Sequence, residues 1–450
     1  GREALAATTT WTEGPAAGFS SAGLEAQSRA ALTGSADEAR QEGDAEAVLR
    51  GARKVLEAEY RFPYQAHATV EPPNAVVDGA EMWTGTQAPN RAQDKAAAAL
   101  GLKPDQLTLH VPLIGGGFGR RLGADFSTEA AQVAKALGGG PIQVIWDRED
   151  DIRHDLHHPA TLHRLRAGLD GAGALSAWSH RVAGPAVMRS WMSGQKVPSQ
   201  VSAETNGALD IPYAIPAIHV DYAEVEAPTP LGWWRGIEIV PNVFARECFL
   251  DEVAHAQGKD PLALRLALLG DRGVVKFGRE EADLRRLKKV LEVAAEKAGW
   301  GRPRAAGRAL GLACHAYDGR THAALVAEVS VAKGELRVHK FTCAVDCGPV
   351  VNPAGLEAQV EGGLAFGLSA LFSEITWEKG RTVQTGYHDF PVLRLGDMPD
   401  VETHVVVGGD TPSGMGEPPV PLVIPAVLNA AFTLTGRRVR AVPLKPGAFA

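Results

Sequence analysis

Strand-like and helix-like segments follow one another along this 450-residue chain without the regular βα alternation that a doubly wound parallel sheet requires. The class that remains is α+β. From Tyr60 onward, Phe62, Tyr64, Val70, Val76 and Val77 are interrupted by Pro63, Pro72 and Pro73, the pattern of short strands broken by turns. Residues 96–102 are helical in composition, and Leu107, Leu109 and Val111 then alternate with Thr108 and His110 as a half-buried strand. Ser127 is placed to cap a helix bearing Ala130, Val133, Ala134 and Leu137, which the glycine run 138–140 ends. Ile142, Val144 and Trp146 make the next strand, with more at 160–185 and 217–225. Phe244, Cys248, Val253 and Ala254 outline a helix stopped at Gly258, and Asp260-Pro261 starts another. Residues 279–298 form a charged helix with an apolar stripe at Leu284, Leu287, Leu291 and Ala294, read as a solvated connector. Beyond Arg308 come strands at 322–332 and 335–346, a helix near 353–370, further strands and a helix around 421–435. The expected organisation is a helical and linker segment over 1–58, a first lobe over 59–272, a connector over 273–305 and a second lobe over 306–450.

Composition excludes several classes. Asp plus Glu total 53 against 46 Lys plus Arg, a formal charge of −7. Nucleic-acid binding needs a basic surface, and this chain has none to spare. No apolar run reaches the roughly 18 residues of a spanning helix. Four Cys rule out a disulfide scaffold, and no C-x4-C-x2-C loop is present for an iron–sulfur cluster. Fifty Gly imply many turns and close backbone approaches. The chain opens at Gly1 without Met, signal peptide or twin-arginine stretch, so it is expected to be a processed product or a piece of a larger polypeptide.

Several loops could carry chemistry. Gly115-Gly116-Gly117-Phe118-Gly119 follows a strand directly, and backbone without Cβ atoms can approach a ligand and present consecutive N–H groups to an oxyanion. It is neither a Rossmann fingerprint nor a Walker loop, and a plain glycine turn is the competing reading. Glu417, between Gly416 and Pro418-Pro419, is a carboxylate on a rigid turn that could face a cavity as a base, or simply lie on the surface. His154, His157, His158 and His163 suggest zinc by spacing, but Pro159 interrupts the set and no H-E-x-x-H occurs. Cys343 and Cys347 share a strand face, where core packing is favoured, and Asp346 and Asn352 could order the turn over 348–352. Arg235 could bind an anion or stack on an aromatic ring.

Taken together, Thr86-Gln87, "LIGGGFGRR" (113–121), "GWWRGIEIVPNVFARECFLDEVA" (232–254), "DCGPVVNPAGLEAQVEGGLAFGL" (346–368) and "GMGEPPVPLVIPAVLNA" (414–430) resemble the molybdenum-binding large subunit of the xanthine oxidase family, in particular its isoquinoline 1-oxidoreductase and bacterial aldehyde dehydrogenase branch. Gln87 precedes Phe118 by thirty-one positions, the family's spacing. The resemblance runs from about Tyr60 to Pro446 and implies two mixed molybdopterin-binding lobes. It places Gln87, Gly116, Gly117, Phe118, Gly119, Arg235, Gln359 and Gly416 around the cofactor, with Glu361 and Gly362 nearby. It makes Glu417 the active-site base and sets Leu122, Trp234 and Ile237 in the substrate pocket. No side chain ligates the metal, which the pterin holds; in this branch the cofactor is molybdopterin cytosine dinucleotide.

The implied reaction is hydroxylation of an aldehyde or aromatic N-heterocycle with water as oxygen source. Purine-oxidising relatives carry Glu where this chain has Leu122 and Phe where it has Ile237, so no useful xanthine turnover is expected. The family's G-Q-G loop is missing, and in the isoquinoline branch that region lies ahead of the part matched here. The chain therefore resembles a C-terminal portion. A companion chain is expected to supply the missing lobe, and a small [2Fe-2S] subunit or a cytochrome to accept electrons. Relatives in the branch imply a periplasmic or cell-envelope location, with the cytoplasm as the other possibility. Two further classes stand beside this reading: a non-catalytic binding or assembly module of the same fold, and a zinc hydrolase built on the histidine group. The joint presence of Gln87, Phe118, Arg235 and Glu417 argues against the module.

Overall fold

In the computed structural model, which describes residues 7–10, 12–192, 194–277 and 280–449, three sheets of four or five strands are joined by helices. The first sheet runs in the order Asp37–Glu42, Ala217–Glu224, Leu175–Gly184, Thr161–Leu169, Lys54–Phe62, antiparallel except where Leu175–Gly184 meets Ala217–Glu224. A small sheet orders Thr108–His110, Glu81–Thr84, Asn74–Asp78 and Ile142–Ile145, and its edge strand Thr108–His110 leads into the Gly115–Gly119 stretch. The third is an antiparallel meander of Arg308–Tyr317, Thr321–Ala332 and Glu335–Asp346, with Asp400–Val405 added parallel to the last. Mostly antiparallel and mixed pairing of this kind is the α+β class.

The helix Ile239–Ala256 explains how the lobes are held in register. Every residue from Ile239 to Ala254 is buried, so the helix has no solvent face. It touches strands of the first sheet on one side and the helix Val420–Thr435, which lies on the third sheet, on the other. Its buried Glu247 accepts from Arg246 Nε at 3.1 Å, Arg265 Nε at 2.9 Å and the Tyr213 hydroxyl at 2.9 Å. Charges so deeply buried survive only when paired and hydrogen-bonded, which ties this helix to one orientation. A single apolar core runs through both lobes.

Three expectations are corrected. Within 1–58, of which residues 1–6 and 11 lie outside the described part, Asp37–Glu42 forms the edge strand of the first sheet, and Lys54–Phe62 crosses the expected boundary at 58. The helices Ser21–Ala31 and Ala45–Gly51 bury Leu24, Ala45 and Leu49. An edge strand reading Asp-Glu-Ala-Arg-Gln-Glu is charged because an unpaired edge is safest when polar, and that hides it from a search for apolar alternation. The helix Leu284–Ala298 is not a solvated connector. Leu284, Leu287, Val290, Leu291 and Ala294 are at most 1% exposed and cover the third sheet, whose strand Thr321–Ala332 is buried on both faces at its start. Residues 278–279 of the expected connector lie outside the described part. Ser127 does not cap its helix. The helix begins at Asp125, and the buried Ser127 hydroxyl donates back to the Ala124 carbonyl at 3.0 Å.

Candidate functional site

The glycine loop is shaped by two buried arginines. Arg121 donates to the carbonyls of Gly116, Gly85 and Glu71 at 2.9 Å each. The Arg121 carbonyl in turn accepts from the Gln87 backbone N–H at 2.9 Å and the Thr86 hydroxyl at 3.1 Å, which brings the Thr86-Gln87 segment against the loop. Gln87 Oε1 then accepts from the Gly119 N–H at 3.0 Å. A Cβ at position 117 would lie 2.5 Å from Gln87 Oε1, and one at 119 only 1.6 Å from the Trp233 carbonyl oxygen. Gly119 also has φ +108, so glycine is required there twice over.

Arg120 and His67 hold the next segment. Asp155, with a side chain 1% exposed, accepts from His67 Nδ1 at 2.9 Å and from the His67 backbone N–H at 2.6 Å, and lies 3.2 Å from Arg120 Nε. His67 Nε2 meets the Trp233 carbonyl at 3.0 Å. Burial alone would push the Asp155 carboxyl up, but His67, His157 and Arg120 hold it well below the ordinary carboxylate range.

Trp233 leads to Arg235, whose Nε donates to the Gly416 carbonyl at 2.6 Å and Nη2 to Gln359 Oε1 at 3.1 Å. Its guanidinium also lies 5.7 Å from the Phe118 ring centre and 5.8 Å from that of Phe366. Burial lowers its pKa to about 10, with Glu417 acting in the opposite sense. The helix Pro353–Ala370, capped by Asn352, packs its glycines where Pro419 and Val420 approach. A Cβ on Gly367 would lie 2.8 Å from the Val420 carbonyl oxygen, and one on Gly363 3.3 Å from Pro419. That closeness sets Glu417 beside Gln359. Glu417 Oε1 accepts from the Gly236 N–H at 3.0 Å and Oε2 from the Tyr317 hydroxyl at 2.9 Å. Burial first, then the Glu417 charge, pushes Tyr317 well above its ordinary value, so it stays a donor.

One cleft of about 820 Å3 is lined by Gln87, Phe118, Gly119, Leu122, Trp233, Arg235, Ile237, Gln359, Gly416 and Glu417, with Ala358 and Gly362. A second, also about 820 Å3, meets it at Gly416 and Glu417 and extends past Tyr317 and Arg320. A larger cavity of about 1000 Å3 beside the strand Glu335–Asp346 contains none of the candidate residues. Phe118 and Ile237 both have positive φ, +53 and +45, a strained state for a bulky or β-branched residue that is concentrated where structure serves a site.

Gly116, Gly117 and Trp234 stand behind the cleft rather than in it. Trp234 is 2% exposed, and its Nε1 donates to the Ala66 carbonyl at 3.1 Å, so the neighbouring Trp233 takes the wall position. Tyr317 lies in none of the sequence motifs, and Trp233 lies in one that does not say which of its two indoles faces the cleft. Tyr317 is the last residue of its strand, and only the packing of that strand against the helix Val420–Thr435 puts it beside Glu417. The histidines form no metal group: His157 donates to Ile152, His158 to Pro159, and His163 pairs with His180 and Thr161, while His154 is exposed. Among the described residues no three potential ligands converge. Cys343 and Cys347 lie in the core; Asp346 accepts from the Gly348 N–H at 3.0 Å, ordering that turn.

Two family models of molybdopterin cofactor-binding domains match residues 30–268 and 292–399. The chain is 34% identical over 404 residues to the isoquinoline 1-oxidoreductase subunit beta of Brevundimonas diminuta, covering 86% of this chain and 49% of that one. It is 32% identical to a membrane-bound aldehyde dehydrogenase of Gluconacetobacter polyoxogenes, covering 88% and 54%. The chain thus spans about half the length of the curated relatives it matches. Its fold is similar to that of quinoline 2-oxidoreductase from Pseudomonas putida 86, with TM-score 0.76 at 16% identity, covering 93% of this chain and 80% of the other.

Proposed function

Because this chain belongs to the xanthine oxidase family of molybdenum hydroxylases, we propose that it forms the catalytic part of an oxidoreductase that hydroxylates an aldehyde or aromatic N-heterocycle with water as oxygen source. The observation that carries this reading is the convergence of Gln87, Phe118, Arg235, Gln359 and Glu417, from five separate stretches of chain, on one cleft. The residues present suit an oxygen-rich anionic cofactor: an amide at Gln87, a guanidinium at Arg235, an amide at Gln359, and Gly117 and Gly119 packed so closely on Gln87 and Trp233 that a Cβ would displace these wall residues. When bound, the molybdenum–pterin group supplies the two-electron redox chemistry. Gln87, the Phe118–Gly119 backbone and Arg235 hold it and orient it. Glu417 takes the proton. The Gly236 N–H and the Tyr317 hydroxyl each occupy one of its oxygens and leave a lone pair on each for that transfer. Leu122, Trp233 and Ile237 make the substrate side apolar.

The cofactor is molybdopterin cytosine dinucleotide in this reading. A companion chain completes the cradle, and a [2Fe-2S] subunit or cytochrome takes the electrons; the length of the relatives supports the companion. The membrane-bound relative supports a periplasmic or cell-envelope location, while among the described residues no helix is long and apolar enough to cross a membrane. The test is Glu417→Gln in the purified assembly. Molybdenum content should be unchanged and turnover of isoquinoline and aldehydes should fall by at least about a hundredfold. Undiminished turnover moves the base elsewhere, and a wild-type assembly without molybdenum defeats the reading.

A further inference from the structure

Trp233 faces the cleft beside Gln87, Arg235 and Glu417, and its indole does not stand alone. It stacks on Trp191 with ring centres 4.4 Å apart and planes at 26°. The Arg91 guanidinium lies over Trp191 at 4.2 Å. Trp191 in turn borders a separate pocket of about 340 Å3 that also includes Arg91, Leu156 and Leu231. The two indoles therefore form a partition between that pocket and the cleft. Its position is tightly determined. The Trp233 carbonyl is held by His67 Nε2 and by the closeness of Gly119, and the Leu231 N–H donates to Ser190 Oγ at 3.2 Å, tying the short helix Val187–Trp191 to the segment that leads into Trp233. Of the other apolar residues in the cleft lining, Leu122, Ile237 and Ala358 are aliphatic, and the Phe118 ring packs on Phe366 with centres 4.9 Å apart.

A flat aromatic molecule gains from such a wall what an alkyl chain does not. Both bury apolar area, but only the flat ring adds the offset-stacked contact of two π systems. We propose that the Trp191–Trp233 pair is the specificity-determining wall of the cleft and selects flat aromatic substrates over linear aliphatic ones, with Trp191 as the residue that holds the Trp233 ring in place. This rests on the hydroxylase reading above, and it adds two positions and a direction of preference to it.

The experiment compares isoquinoline with hexanal in the full assembly, for wild type, Trp191→Ala and Trp191→Phe. In Trp191→Ala the ratio of kcat/KM for isoquinoline to that for hexanal should fall about three- to tenfold, through KM, and Trp191→Phe should restore most of it. Circular dichroism gives a readout apart from turnover. The wild type should show the exciton couplet of two stacked indoles, lost in both variants and altered in wild type by isoquinoline but not by hexanal. An unchanged ratio in Trp191→Ala, or a couplet that isoquinoline leaves untouched, overturns the proposal. A wild-type assembly that turns over neither compound counts against the hydroxylase reading, while the couplet still decides whether the pair meets a flat ring.

Discussion

Replacing His67 by Ala should cost this protein about 3–5 kcal/mol, although His67 lies in no recognised motif. The imidazole and the Asp155 carboxylate are each 1% exposed, and the ring spans 2.9 Å to Asp155 Oδ1 and 3.0 Å to the Trp233 carbonyl. Truncation removes both side-chain bonds. Asp155 keeps the His67 backbone N–H at 2.6 Å and Arg120 Nε at 3.2 Å, but it loses its nearest side-chain partner in a place water does not reach. Leaving a buried carboxylate without its nearest hydrogen-bonding side chain carries that range of cost, whereas a surface pair would lose under about 1 kcal/mol. Denaturant unfolding of wild type, His67→Ala, Asp155→Asn and the double variant supplies the assay. The double variant should be less destabilised than the sum of the singles by more than about 1 kcal/mol. The pH sign follows from Asp155. Its folded-state pKa is depressed, so its contribution is present above the usual carboxylate value and is lost as pH falls. His67→Ala should therefore flatten the acid limb of the stability curve. A loss below about 1 kcal/mol with strictly additive effects would refute the reasoning.

The helix Leu284–Ala298 offers a cleaner packing test: Leu287 is 0% exposed, so Leu287→Ala should destabilise by about 2–5 kcal/mol in the same unfolding assay, where a solvated helix would lose no more than about 0.5. Acid should weaken the first lobe through its buried histidines. Burial lowers His158 to about 4 and His163 to about 3, so their neutral forms stabilise the fold above about pH 6.5, and each loses up to about 1.4 kcal/mol per unit as pH falls from there toward those values. His158→Gln should reduce that slope by one proton when unfolding is followed between those limits, and an unchanged slope would place the proton uptake elsewhere.

Much of this molecule is written locally. A glycine run after an alternating strand, Asp260-Pro261 and Asn352-Pro353 at helix starts, and the stripe beginning at Leu284 are decided within a turn or two of chain, so they can be read without knowing what they touch. The five loops in order also identify the family, because each must present particular atoms to one group. Other features depend on partners distant in sequence. The strand Asp37–Glu42 is polar and becomes a strand only by pairing with Ala217–Glu224. Leu284–Ala298 has the same amphipathic pattern whether its stripe meets solvent-side neighbours or a sheet, and only the sheet distinguishes a cover from a connector.

The pair Trp233-Trp234 marks the limit most clearly. Two adjacent indoles have identical local chemistry, and the chain alone names the stretch but not which ring meets the cleft. That choice falls to contacts from elsewhere: Gly119 against one carbonyl, and Ala66 accepting from Trp234 Nε1. Tyr317 beside Glu417 was settled in the same way, by the packing of the strand that ends in Tyr317 under the helix that Glu417 precedes. Sequence determined which residue types and turns this protein has to offer. Tertiary structure decided which of them face one another, because side-chain direction depends on packing across the core and not on neighbours along the chain.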